Sequence, residues 1–254
     1  VSSQLPNPAA WPALHAFIVF FIVWILTQYL APRFSDDQAL IRSGVLQLVL
    51  GLGLPLIAIA TARLSPLKVF KLRFTSTRNL LLTVAATPCL VLLLDEIRFL
   101  QSRWTGPESN SVEVFLQASS VGRWVELILF TAIVPAVCEE SLFRGYLLER
   151  LSAQGQTWRA IMVSSVLFGL FHQSVHALLP ATVCGIFFAF LAVKTESLLN
   201  PIVLHMTVNV WAIIVANSRV SSSLHWPQNG EHLPLSVLAI CSMGILLVGR
   251  FLSK

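Results

Sequence analysis

Apolar runs of helical length, separated by short polar segments, follow one another along the whole chain. They lie near Trp11–Leu30, Gly44–Ala62, Asn79–Leu94, Trp124–Leu148, Ala160–Phe171, Leu178–Val193, Leu198–Val215 and Leu233–Leu252. About 20 apolar residues are needed for a helix to cross a bilayer core. The pattern therefore predicts an all-α fold, a polytopic membrane bundle of about eight transmembrane helices. No repeat, low-complexity tract or linker divides residues 1–254, which read as one membrane domain. The first ten residues contain no Lys or Arg. The first run thus lacks the charged flank of a secretory signal and is read as a helix that stays in the membrane.

Composition sharpens this picture. Of 254 residues, 56% are hydrophobic and 11% charged, against about 25% charged in a soluble domain, and mean hydropathy is +0.76. That balance argues against a water-soluble enzyme, a disordered chain and a nucleic-acid-binding module. The net charge of +5 comes from basic residues between the apolar runs, where they set topology. The densest cluster, Arg63, Lys68, Lys71, Arg73 and Arg78, is placed in the cytoplasm. Alternation from there adds Arg144, Arg150, Arg159, Lys194, Arg250 and Lys254 to the same side and leaves both termini cytoplasmic. Cys89, Cys138, Cys184 and Cys241 all fall in apolar runs without paired or metal-ligand spacing, which argues against a disulfide framework or a zinc-thiolate site.

The informative residues are polar groups in segments the membrane should keep apolar, because an ionisable side chain there is costly and marks function. Glu139 and Glu140 follow the run Leu127–Cys138. Neighbouring residues point about 100° apart on a helix, so the two carboxylates are expected to do different things. Glu140 and Arg144 are four apart in the favourable order for an ion pair. Glu139 is left without a local partner, available as a general base. His172 ends the run Ile161–Phe171, one turn beyond Phe168. His205 and Asn209 share a helical face in the run that Asn200 and Pro201 open as N-cap and first turn. For these to converge, Glu139 must lie within its helix. The fourth helix is therefore extended through Glu140 to about Arg150, with a bend at Pro135. Blander readings fit other residues. Asp95 and Glu96 are read as interfacial at the end of the third run, His15 as a packing histidine, and His176 as a residue of a short connection. Trp11, Trp104, Trp124 and Trp226 are read as parts of an aromatic belt.

The motifs EExxxR (Glu139, Glu140, Arg144), FxxxH (Phe168, His172) and HxxxN (His205, Asn209), in that order over residues 120–215, resemble those of the CAAX-protease and bacteriocin-processing family. These are the glutamic intramembrane proteases that include the type II prenyl-protein endopeptidase, or Ras-converting enzyme. The resemblance implies an endopeptidase of about eight helices in which Glu139 activates water with help from His172, and His205 and Asn209 form the oxyanion hole. Glu140, Arg144 and Phe168 would support the site, with no cofactor and no metal in the catalytic step. It also implies a substrate anchored at the lipid bilayer: a prenylated CAAX protein, a bacteriocin precursor or a protein with a C-terminal sorting tail. The setting would be a prokaryotic inner (cytoplasmic) membrane.

The residues themselves leave alternatives open. The chain has no HExxH, no Gly-Asp pair and no GxSG, motifs that would mark zinc, aspartyl or rhomboid-like chemistry. A zinc site built from Glu139, His172 and His205 remains chemically possible and is the runner-up. A non-proteolytic immunity or scaffold protein of the same family is a further reading. A proton-relaying transporter is another, although the internal repeat or paired broken helices common in transporters are missing.

Overall fold

The apolar runs fold into the helices their length requires. The computed structural model describes residues 11–30, 38–106, 115–153, 155–218 and 232–252, and every regular element among them is helical. These are α1 (Trp11–Leu30), α2 (Ala39–Thr61), the short α3 (Pro66–Phe70), α4 (Thr77–Thr105), α5 (Val121–Ser152), α6 (Thr157–Phe171), α7 (Val175–Thr195), α8 (Leu199–Asn217) and α9 (Leu235–Phe251). Six of them, α1, α2, α4, α5, α7 and α8, are long and apolar enough to cross a membrane, and α6 and α9 are shorter apolar helices. The protein is an integral, multi-pass membrane protein. Its helices are apolar all round, as bilayer helices are. On α1, Ala16, Phe20 and Val23 are buried against the bundle while Leu14, Ile18, Ile22 and Ile25 are exposed on the outer face.

Serines open three of the long helices. Ser76, Ser120 and Ser174 accept from the backbone N–H of Asn79, Arg123 and Ala177 at 3.0, 3.1 and 3.3 Å, ahead of α4, α5 and α7. Asn200 does not cap α8 as its sequence position predicts. It is buried inside the first turn and reaches across to α4, donating to Thr83 Oγ1 at 3.0 Å and accepting from Thr75 Oγ1 at 3.1 Å. A buried amide is better satisfied by two hydroxyls, one on α4 and one just ahead of it, than by a backbone end that is already paired.

Two other expectations change. The third run continues as helix to Thr105, so Glu96 is not at a helix end. It is buried and accepts from His232 Nδ1 at 2.7 Å and from the Leu233 N–H at 3.0 Å, where the chain enters α9. Neighbouring Asp95 pairs with Arg98 at 3.4 Å. The bend expected at Pro135 takes the form of a π-helical stretch over Ile128–Ile133. The same arrangement recurs in α2, where Leu48–Gly53 is π-helical just before Pro55. Proline has no N–H to give and its ring crowds the carbonyl four residues back. A locally wider helix relieves that clash.

Side-chain bonds gather the connections at the two ends of the bundle. Lys71 pairs with Glu149 at 2.7 Å, and Arg73 bonds Glu196 at 3.0 Å together with the Thr195 and Glu196 carbonyls. The basic segments after α2, α5 and α7 thus meet at one end, as strict alternation of spans requires. At the other end the Gln101 amide bonds the Val175 carbonyl, Thr105 meets His176 at 3.1 Å, and Asn217 bonds the Ala118 N–H and the Leu116 carbonyl. The termini, residues 1–10 and 253–254, lie outside the described residues, as do Trp226 and the side chain of Trp11. Trp104 is 90% exposed at the end of α4, and Trp124 is half-buried. His15 packs as expected, 2.7 Å from Tyr146 Oη, and all four cysteines are free thiols.

Helices α6 and α7 pack closely through Gly169, where a Cβ would lie 2.2 Å from Thr182 Oγ1 and 2.7 Å from the Leu178 carbonyl oxygen. Small residues permit such approach between membrane helices. A hydroxyl can rotate away, but the Leu178 carbonyl is backbone and cannot. Gly169→Ala is therefore expected to push α6 and α7 apart and to lower stability by about 1–3 kcal/mol, read as a reduced melting temperature in detergent.

Candidate active site

Glu139 and Glu140 lie together on α5, just before a second π-helical stretch, Ser141–Leu147, which carries Arg144. Their side chains diverge, as adjacent helical positions must. Glu140 turns into the bundle. Its Oε1 accepts from Arg144 Nη1 at 2.7 Å, and both side chains are fully buried. Arg144 Nη2 donates to the Gly185 carbonyl of α7 at 3.0 Å. The guanidinium carbon sits 4.3 Å from the ring centre of Phe168 and 5.2 Å from that of Phe188. A buried guanidinium is tolerable because a carboxylate, a carbonyl and two aromatic faces replace its water.

Glu140 also does something its sequence position does not reveal. The same Oε1 is 2.9 Å from His205 Nδ1, on a helix 65 residues further along. A carboxylate ion-paired to arginine can only accept, so the proton of that bond belongs to Nδ1. Nε2 of His205 is thereby aimed away from Glu140, 3.9 Å from Glu139 Oε2. The ring is held by Phe188, stacked at 5.0 Å and 26°, and by the edge of Phe168 at 5.8 Å. His172 closes α6 and is fixed in the same way. Its Nδ1 is 2.9 Å from the Phe168 carbonyl, which accepts, so Nε2 is the free nitrogen. The Phe168 ring lies edge-on 4.8 Å from it.

These orientations converge on one place. Glu139, His172, His205 and Asn209 all line a cavity of about 270 Å³, together with Phe130 and residues of α2. Glu139 is 8% exposed, and its Oε2 has no hydrogen-bond partner among the described residues. A second cavity of about 320 Å³, lined by His172, His205, Asn209 and Phe168 and otherwise mainly apolar, adjoins it towards α4 and α7. All seven residues singled out from the sequence are thus in or directly behind one site. Asp95, Glu96, His15 and His176 line neither cavity.

Three contributors escaped sequence reading: Phe188, Gly185 and the α2 face. Phe188 is one aromatic in an aromatic-rich run and carries no motif. Gly185 had a signal, a glycine in an apolar helix, and a Cβ there would sit 3.1 Å from Arg144 Nη2 and 3.2 Å from Ser165. Among the described residues no group of three or more His, Cys, Asp or Glu is placed to hold a metal ion.

Comparison with known proteins adds to this geometry. Residues 122–211 match the family model for Type II CAAX prenyl endopeptidase Rce1-like proteins, a segment that holds all three motifs. That match falls on the family that the three motifs resemble. Over 89 residues the chain is 33% identical to the candidate membrane peptidase YdiL of Bacillus subtilis (strain 168). That alignment takes in 35% of this chain, and the chain spans 36% of the length of that relative. No solved structure matches the chain.

The ion pair carries a testable consequence. Arg144→Met deprives the buried Glu140 carboxylate of its arginine and is expected to cost about 3–5 kcal/mol. Arg144→Met combined with Glu140→Gln removes both charges and should recover a large part of that loss. A double-mutant cycle on thermal unfolding in detergent measures the coupling, and additive losses would show that the two groups act separately.

Proposed function

We propose that the protein is an intramembrane endopeptidase that hydrolyses a peptide bond of a membrane-associated protein with water activated by Glu139. The observation that carries this reading is the convergence of Glu139, His172, His205 and Asn209, from three helices, on a single cavity among apolar helices. Glu139 offers an unpartnered carboxylate oxygen to a water in that cavity. In the proposed step the water proton passes to Glu139, with His172 Nε2 as a second acceptor orienting the water, while the water oxygen bonds to the substrate carbonyl carbon. The carbonyl oxygen gains the negative charge and faces Asn209 Nδ2 and His205 Nε2. When the C–N bond breaks, the proton held by Glu139 moves to the leaving amine.

Glu140 supports the choice of donor. With Nδ1 committed to Glu140, His205 can donate from Nε2 only as an imidazolium. Oriented donors in a water-poor site are worth far more than in water. The family match of residues 122–211 supports the same reading. The substrate classes it favours are a prenylated CAAX protein, a bacteriocin precursor or a C-terminal sorting tail.

Two experiments test the proposal. Purified protein is incubated in detergent with a farnesylated peptide ending in a CAAX box, a bacteriocin-precursor peptide and a sorting-tail peptide, and products are identified by mass spectrometry. Glu139→Gln is expected to lose about 10²-fold or more in rate while still folding. Asn209→Ala is expected to lose roughly 10²–10³ in kcat with KM little changed. Full activity in Glu139→Gln with loss in Glu140→Gln would exchange the roles of the two carboxylates. A raised KM with unchanged kcat in Asn209→Ala would remove it from the oxyanion site. The second experiment is exhaustive chelation and assay in metal-free detergent, which should leave the rate nearly unchanged. Loss restored by added zinc would instead establish metal chemistry.

A further inference from the structure

One wall of the cavity is built by α2, a helix with no motif and no acidic or histidine residue. Two glycines seat it. A Cβ at Gly44 would lie 2.2 Å from the Phe130 ring of α5, and one at Gly51 would lie 3.1 Å from Cβ of Cys138, the residue before Glu139. Between these two contacts, on the same side of α2, stands Gln47, and one turn before it Ser43. Both line the cavity with Glu139, His172, His205 and Asn209. Gln47 ends the regular helix at the start of the π-helical stretch Leu48–Gly53. Its Oε1 is shut off from solvent and has no hydrogen-bond partner among the described residues.

An unpartnered buried amide oxygen is unfavourable in an apolar bundle, where leucine or methionine would pack at no such cost. It is explained if the carboxamide, which lines the cavity, turns about its last side-chain bond to meet a group that enters. A carboxamide presents one acceptor and one two-hydrogen donor group, and a peptide main chain offers the matching N–H and C=O. We propose that Gln47 is a substrate-binding residue on the α2 wall of the cavity, its carboxamide hydrogen-bonding the main chain of the scissile peptide. This rests on the peptidase reading. Such a clamp recognises backbone and not side chain, so selectivity for the substrate's residues would come from elsewhere. Such binding is the same for bound substrate and transition state, and therefore acts on affinity more than on kcat.

The test measures binding apart from hydrolysis. The probe is a fluorescein-labelled farnesylated peptide ending in a CAAX box, titrated by fluorescence anisotropy against detergent-solubilised Glu139→Gln protein and against the same protein carrying Gln47→Met. Methionine keeps the length of the side chain and removes both polar groups. Kd is expected to rise roughly 3- to 10-fold, the scale of one or two hydrogen bonds, with no fall in melting temperature. In the Glu139-containing protein, Gln47→Met should raise KM by a similar factor with kcat within about twofold. Gln47→Asn, which keeps the amide but withdraws it by one carbon, serves as a second variant and should also weaken binding without loss of fold. An unchanged Kd in both variants overturns the clamp, as does weaker binding accompanied by a lower melting temperature, which marks a packing role. A probe neither bound nor cleaved by the unsubstituted protein overturns the clamp for this peptide class. If Glu139→Gln cleaves at the unsubstituted rate while Gln47→Met still weakens binding, the base assignment fails and the clamp stands.

Discussion

The carboxylate of Glu140, fully buried, is the constraint around which the interior of this bundle is arranged. One oxygen serves both Arg144 on its own helix and His205 on α8. An ionised group in such a place is stable only while its partners stay, and removing one is far more costly than the net value of the pair. Arg144 in turn needs the Gly185 carbonyl and the faces of Phe168 and Phe188. Three helices besides α5 are therefore tied to a single charge. The arrangement gives His205 one orientation, and that orientation turns Nε2 towards Glu139. A residue that does no chemistry in the proposed reaction thus determines the protonation pattern of one that does.

Close approach of helices makes this possible. Gly169 lets α6 meet α7, which places Phe168 and His172 beside the arginine and the cavity. Gly185 leaves room for the guanidinium itself, and Gly44 and Gly51 bring α2 against α5. In lipid, helices gain little by hiding apolar surface from one another, so packing and polar bonds must hold them together. The π-helical stretches contribute as well. They fall in α2 and α5, two of the helices bordering the cavity that Glu139 lines, and two of them take up the strain of Pro55 and Pro135 while adding a residue to the turn. Extra residues in a turn rotate everything that follows, which alters which side chains look inward.

Much of the candidate site is legible in the sequence, because its residues violate the environment they sit in. A carboxylate pair, two histidines and an amide within apolar runs can be noticed one by one, and four-residue spacing is enough to predict that Glu140 meets Arg144 and that His205 and Asn209 share a face. The long apolar helices are legible for the same physical reason: a bilayer imposes a length and a polarity on each span. Helix ends are harder. Asn200 has the sequence position of a cap and Glu96 that of an interfacial residue, yet both are buried and are satisfied by residues more than 100 positions away.

What the sequence by itself determined, then, is whatever depends on one helix at a time: the number of spans, the faces shared at three- and four-residue spacing, and which residues are out of place in lipid. Which faces meet which was decided only by the tertiary structure. The Glu140–His205 bond, the aromatic pair around Arg144 and the presence of Gln47 in the cavity that Glu139 lines all depend on contacts between helices distant in the chain. Such contacts leave no period in the sequence, since glutamine in an apolar run reads the same whether it faces a catalytic cavity or a neighbouring helix. Packing geometry set by a few glycines, and one buried charge that has to be neutralised, make that choice.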